Sequence, residues 1–216
     1  MSNCLSKVMS DGVDGLITAG LFILRPYVEA DASSMSAGVR ESMETLGRWM
    51  PWAKPDFSDD DARCWFAECS RARALGEAHE FGIFSKDGRF IGGCGLNQFS
   101  QRDKFCNLGY WVRQSEQGKG AATAATLALR RLAFESLGLA RLEIVVAQGN
   151  EPSIAVARKA GAVYECLAHN RLQVQGQATA AHIFSFIADT GAESVNASSN
   201  TPLGTSGVAM TITSPP

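Results

Sequence analysis

The chain has 216 residues, 45% hydrophobic and 19% charged, enough to bury a full core in one domain of ordinary size. Its 20 Lys and Arg against 22 Asp and Glu leave a formal charge of -2, so no basic footprint points to nucleic acid as a partner. The six cysteines include no C-x-x-C pair and the three histidines are scattered, which argues against a zinc site or a disulfide framework.

Residues 1–20 carry little pattern, and 189–216 are rich in Ser, Thr, Asn, Gly and Pro. An N-terminal extension and a flexible C-terminal tail are therefore expected around a domain at 21–188. Within the tail only Val208 to Ile212 has strand propensity. The first twenty residues lack the sustained apolar run of a secretory signal, and no stretch approaches the roughly 20 apolar residues of a membrane helix. A cytoplasmic setting with no membrane partner is the resulting expectation.

The domain opens with Leu21-Phe22-Ile23-Leu24-Arg25-Pro26, a short strand stopped by proline. Met35, Val39, Met43 and Leu46 then recur at helical spacing. Ser58 ahead of Asp59, Asp60 and Asp61 is an N-cap with acidic residues at the positive end of a helix dipole. The helix it starts is expected to turn Ala62, Trp65, Phe66 and Cys69 inward. Two apolar runs, 80–84 and 89–96, flank Lys86-Asp87-Gly88, and an Asp-Gly in that setting predicts a β-hairpin.

Phe105 to Val112 reads as a further strand, followed by a glycine-containing loop and an Ala- and Leu-rich helix from Ala121 to Leu137 that Gly138 closes. Leu142 to Ala147 is β-branched enough for a central strand, and Pro152 suits the first turn of a helix that Gly161 ends. Residues 163–174 and 181–188 complete the pattern as two strands. The order is that of a mixed α/β domain with a strand-loop-helix-strand unit at its centre.

The loop Gln117-Gly118-Lys119-Gly120-Ala121-Ala122 lies between a strand and a helix N-terminus. Free backbone N–H groups there, with the dipole behind them, form an anion site, and glycines let phosphate oxygens come close to the main chain. Taken alone, a Gly-x-Gly string more often marks a plain strand-to-helix turn than a phosphate site. The spacing excludes a P-loop and lacks the third glycine of a dinucleotide fingerprint.

Several segments in order resemble the GNAT superfamily of N-acetyltransferases: Gly109-Tyr110-Trp111-Val112, then Gln117-Gly118-Lys119-Gly120, then Asn150-Glu151-Pro152-Ser153 and Lys159-Ala160-Gly161-Ala162. Leu24-Arg25-Pro26 and Trp49-Met50-Pro51-Trp52 further resemble its RimJ/RimL-like branch, which includes acetyltransferases of ribosomal-protein N-termini. The resemblance implies a twisted, mostly antiparallel mixed sheet of about seven strands flanked by about four helices. It also implies acetyl-CoA as co-substrate without a metal, an amine-bearing substrate such as a protein N-terminus or small amine, and homodimers as in many relatives.

Carried over by position, main-chain groups of Trp111 and Val112 would hold the pantetheine arm, and the amides of Gln117, Gly118, Lys119, Gly120, Ala121 and Ala122 the pyrophosphate. Asn150 would meet the pantetheine, and Lys159 or Arg158 would lie near the nucleotide. Ser153 matches a serine assigned in RimL-like enzymes as proton donor to the departing thiolate, and capping of its own helix is the competing reading. Ala157 stands where many members carry a tyrosine for that task, and Asn107 where relatives often carry Glu.

An amide cannot act as a base, so Asn107 is expected to orient water or substrate. Glu80, His79 and His182 are the remaining titratable candidates, and the base is left unassigned. Trp49, Trp52 and Trp65 are candidates for an acceptor pocket or for ordinary packing. Cys94 and Cys106 read as small buried thiols rather than nucleophiles.

Overall fold

The computed structural model describes residues 15–188. The strand-prone stretch Val208 to Ile212 lies outside the described residues. Eight strands form one sheet in the order β1-β2-β3-β4-β5-β6-β8-β7. They are β1 (Ile17–Ala19), β2 (Phe22–Arg25), β3 (His79–Ser85), β4 (Phe90–Ser100), β5 (Phe105–Val112), β6 (Arg141–Ala147), β7 (Val163–Val174) and β8 (Gln177–Ile187). Neighbours are antiparallel except β5 and β6.

The strand beyond the expected seven is β1, inside the stretch read as an extension; it turns into β2 through Gly20 at φ +63°. Three residues are too few for a period to show. Among the helices, the single pattern over Met35 to Leu46 is two pieces, α1 (Ala32–Glu41) and α2 (Met43–Leu46). At the break Ser42 donates its hydroxyl back to Gly38 O at 2.6 Å, the local competition that bends helices at serine. α3 (Asp59–Ala74) starts at the expected Ser58 N-cap, and the structure completes it as a capping box, with Ser58 Oγ accepting from Asp61 N–H at 3.1 Å and Asp61 accepting from Ser58 N–H at 2.8 Å. α4 (Ala121–Arg131) runs into a π-helical turn over Leu132–Ser136, and α5 (Glu151–Lys159) follows β6.

Each face of the sheet has its own core. Leu24, Phe81, Ile83, Leu96, Leu108, Leu142 and Phe184 pack under Ala125, Leu129, Ile154 and Ala157 of α4 and α5. On the opposite face Phe84, Phe90 and Trp111 meet Met35, Val39, Ala62 and Phe66 of α1 and α3. Trp65 does not join them. The buried stripe of α3 is Ala62, Phe66, Cys69 and Ala72, and Trp65, one residue off that stripe, is 39% exposed.

The site depends on one topological feature. β5 and β6 pair in parallel only over Phe105, Cys106 and Asn107 against Arg141, Leu142 and Glu143, and then they part. The second half of β5 therefore has a free edge. No described helix is long and apolar enough to cross a membrane.

Candidate active site

Gly118 and Gly120 occupy the left-handed region at φ +76° and +87°, and among the described residues a Cβ at either would meet nothing within 4 Å. Only glycine takes that backbone without strain, and it leaves the loop bare. The first helical bond of α4 runs from Ala124 N–H to Gly120 O at 3.0 Å, and no side chain caps the helix. The amides of Ala121, Ala122 and Thr123 thus have no intrahelical acceptor and, with the dipole, suit a diphosphate.

The α1–α2 segment holds the approach to this loop. Arg113 is ion-paired with Glu41, which also accepts from Ser115 N–H at 2.8 Å, and Ser42 Oγ accepts from Gln114 N–H at 2.9 Å. The Arg113 guanidinium first, with help from the Ser115 hydrogen bonds, lowers the Glu41 carboxyl to about 2. Gln117 donates its side-chain amide to Thr45 Oγ1 and to Val112 O, both at 3.1 Å. Lys119 turns aside, 3.1 Å from the buried carboxylate of Glu116, which Arg89 also reaches at 2.7 Å.

Antiparallel pairing fixes which peptide groups of β5 are available. Arg113 N–H donates to Ile91 O at 2.9 Å, and Trp111 lies opposite Gly93 and Gly109 opposite Gly95. Since hydrogen-bonded and non-bonded pairs alternate, Gly109 and Trp111 turn their peptide groups to β4, whereas Tyr110 and Val112 turn theirs to the gap beside β6. Of the two residues expected to offer main-chain groups, Val112 turns its N–H to this gap, its carbonyl being taken by Gln117, and Trp111 turns its peptide groups to β4; Tyr110 also faces the gap.

Tyr110, which sequence reasoning missed, also reaches the start of α5. Its hydroxyl lies 3.0 Å from Ser153 Oγ and 3.1 Å from Ser153 O, and burial raises its pKa to about 12. Asn150, not Ser153, caps α5, accepting from Ser153 N–H at 3.3 Å. The serine hydroxyl is left to face Tyr110. Ala157 is fully buried in the core under α5.

These elements enclose a cleft of about 620 Å³. Of the predicted residues, Trp111, Val112, Gln117, Gly118, Gly120, Ala121, Ala122, Asn150, Ser153 and Lys159 line it, while Lys119 and Asn107 do not. Trp49 and Met50 close it from the α2 side, and Trp49 comes within 4.0 Å of where a Cβ on Gly149 would stand. Trp52 packs edge-on against Trp111 at 5.8 Å. The open amides, the free strand edge and the mixed polar and aromatic walls fit a long ligand with a diphosphate.

Asn107 lies on the sheet face that carries Trp111. Its amide donates to Asn97 Oδ1 at 3.0 Å, and Asn97 donates to Glu80 Oε1 at 3.0 Å. Burial raises the Glu80 pKa, partly opposed by that hydrogen bond and by Arg73. His79 is buried edge-on to Phe99, and His182 lies against Tyr164. Burial also pushes the Cys94 thiol up and Cys106 to about 12, so both stay protonated near neutrality and are poor nucleophiles. Among the described residues no group of three or more His, Cys, Asp or Glu is placed to hold a metal ion.

Residues 22–163 match the family described as acetyltransferase (GNAT) domain. The Bacillus subtilis (strain 168) protein named "Putative ribosomal N-acetyltransferase YdaF" is 32% identical over 147 residues, covering 68% of this chain and 80% of that protein. Among solved structures, a "putative ribosomal-protein-serine acetyltransferase" from Vibrio cholerae is 32% identical with a TM-score of 0.71, covering 82% of this chain and 99% of its own. Mycobacterium smegmatis RimJ, solved in complex with CoA-disulfide, is 27% identical with a TM-score of 0.73, covering 81% and 86%.

Proposed function

Because the chain belongs to the GNAT acetyltransferase family, we propose that it transfers the acetyl group of acetyl-CoA to the N-terminal α-amino group of a protein or peptide. The observation that carries this reading is the cleft where β5 parts from β6, with the bare loop at one end and the Tyr110–Ser153 hydroxyl pair beside it. The relatives named for ribosomal proteins support a peptide amine over a small one.

In this reading the thioester of acetyl-CoA supplies an activated acetyl group. The amides from Gly118 to Thr123 hold the diphosphate, and the free peptide groups of Tyr110 and Val112 pair with the amide-bearing arm as a further strand would. Lys159, which borders the cleft, lies at the nucleotide end. Ser153 hydrogen-bonds the departing sulfur.

Ala122→Glu tests the loop assignment. Ala122 lines the cleft in the first turn of α4, where a carboxylate suits the helix dipole but repels a diphosphate. Calorimetry is expected to show acetyl-CoA affinity reduced at least tenfold with the melting temperature of the free protein preserved. Unchanged affinity would remove the loop from the site. Thiol release from acetyl-CoA over a panel of ribosomal-protein N-terminal peptides and small amines tests the acceptor class. Turnover confined to small amines would overturn the peptide reading.

A further inference from the structure

The register aligns Glu80 on β3, Gly95 on β4 and Gly109 on β5 directly opposite one another, on a single face of the sheet. Glycines on this face are covered in different ways. A Cβ at Gly82 would strike Phe84 and Tyr27, at Gly93 it would lie 2.6 Å from the Trp111 indole nitrogen and the Tyr27 hydroxyl, and at Gly95 it would run into the Glu80 carboxylate. At Gly109 it would meet nothing within 4 Å among the described residues. Nor does Gly109 have a positive φ, so neither backbone nor packing calls for glycine there. A glycine inside a strand with open space above it marks a place where another molecule approaches the backbone.

The groups around this space are those an amine requires. The Glu80 carboxylate covers Gly95, one strand spacing of about 4.8 Å away. Asn107 and Trp111 flank Gly109 two residues to either side along β5. While Glu80 is ionised it can only accept, so Asn97 must give it an N–H and offer its own oxygen to Asn107, as observed. Asn107 then keeps its carbonyl oxygen for an N–H donor. Just past Asn107, β5 loses its pairing with β6, and the space adjoins the stretch proposed to hold the thioester.

We infer that the space above Gly109 receives the acceptor's primary ammonium group and that Glu80 is the base that takes its proton. The inference rests on the acetyl-transfer reading and supplies its acceptor side. Glu80 accepts one proton from the ammonium and passes it to water; Asn107 Oδ1 orients the neutral amine. Its nitrogen lone pair then forms the bond to the thioester carbonyl carbon, and the C–S bond breaks. Nitrogen loses a second proton and sulfur gains one, so the net products are amide, free thiol and one proton. Facing the carboxylate are Arg73, whose guanidinium donates to the Glu80 main-chain oxygen, and Tyr27, Cys69 and Cys94. Burial raises the Glu80 pKa above its ordinary value, with the Asn97 hydrogen bond and Arg73 opposing it in part.

Two variants of the full chain test this with the best acceptor from the panel above. Glu80→Gln keeps an oxygen for Asn97 and is expected to lower kcat/KM for the amine about 100-fold or more, and to remove the low-pH limb of the wild-type profile. Gly109→Ala places a methyl group in open space and is expected to raise the amine KM about tenfold. Acetyl-CoA affinity, measured by calorimetry, stays at the wild-type value in both. Wild-type kcat/KM with the same low-pH limb in Glu80→Gln overturns the base, and an unchanged amine KM in Gly109→Ala overturns the location. Absence of acceptor-dependent thiol release from the wild type instead overturns the transferase reading, and this inference with it.

Discussion

The Tyr110 and Ser153 hydroxyls can share their protons in two ways. If Tyr110 donates to Ser153 O, the serine proton is drawn to the phenol oxygen. If Tyr110 donates to Ser153 Oγ, the serine hydrogen is free to point at a departing sulfur. With its pKa pushed up to about 12, Tyr110 stays a phenol near neutrality and can donate a hydrogen bond to Ser153. Tyr110→Phe and Ser153→Ala are each expected to lower kcat about tenfold, with little change in the KM for acetyl-CoA. Because both act through one hydroxyl, the double variant should be no slower than Ser153→Ala alone, which steady-state kinetics on the four proteins reads directly. Multiplicative losses would show that the two hydroxyls act separately. This pair joins residues 43 apart in the chain, and nothing in the local sequence around either announces the other. The same holds for Glu80, visible in the sequence as a candidate base but weighed evenly with His79 and His182. Its position over Gly95 is a property of strand register, which no short window contains. Gly118 and Gly120 were legible because their chemistry is local: bare backbone at a helix start.

At the scale of elements, β5 is where sequence reading and geometry part most usefully. Its existence and limits follow from composition, but the direction of each peptide group follows from pairing with β4. Hydrogen exchange tests this residue by residue. Acetyl-CoA is expected to slow exchange at the Tyr110 and Val112 amides, which face the gap, and to leave the Trp111 amide, already facing β4, near its free value. Equal protection at all three would contradict the alternation. The α1–α2 segment gives a second test, through Glu41. Its folded-state pKa of about 2 lies below the ordinary 4.5. The stabilisation it gives is therefore complete above about 4.5 and is lost as pH falls toward 2. Urea melts of wild type and Glu41→Gln should differ near pH 6, and the difference should shrink steadily between pH 4.5 and about 2. A difference that is undiminished near pH 2.5 would mean that Glu41 acts through packing rather than charge. None of this anchoring was readable beforehand, because Glu41 and Arg113 are 72 residues apart. The break at Ser42 likewise hid inside one continuous apolar period.

Across the described residues the single sheet has two antiparallel halves, β1 to β5 and β6-β8-β7, joined by a three-residue parallel seam. Its outline was legible because each half announces itself through alternation and turns, whereas the seam depends on how far two distant strands run together. Cys106 and Leu142 face each other in the seam, and both are fully buried. Leu142→Ala removes apolar volume where, among the described residues, no other strand pairing joins the halves, so a loss of about 2–5 kcal/mol is expected. A ligand lying along the free edge of β5 and contacting the start of α5 after β6 would bind both halves at once. By mass action, acetyl-CoA at 100 times its dissociation constant should add about 2.7 kcal/mol to the wild type. In Leu142→Ala, whose cleft walls are less well held, the added stability at the same concentration should be smaller. Urea titrations of both proteins with and without acetyl-CoA measure the four midpoints. Equal ligand-induced shifts would show that the seam sets stability without shaping the cleft, and a larger shift in the variant would show that the ligand itself closes a seam the variant has opened.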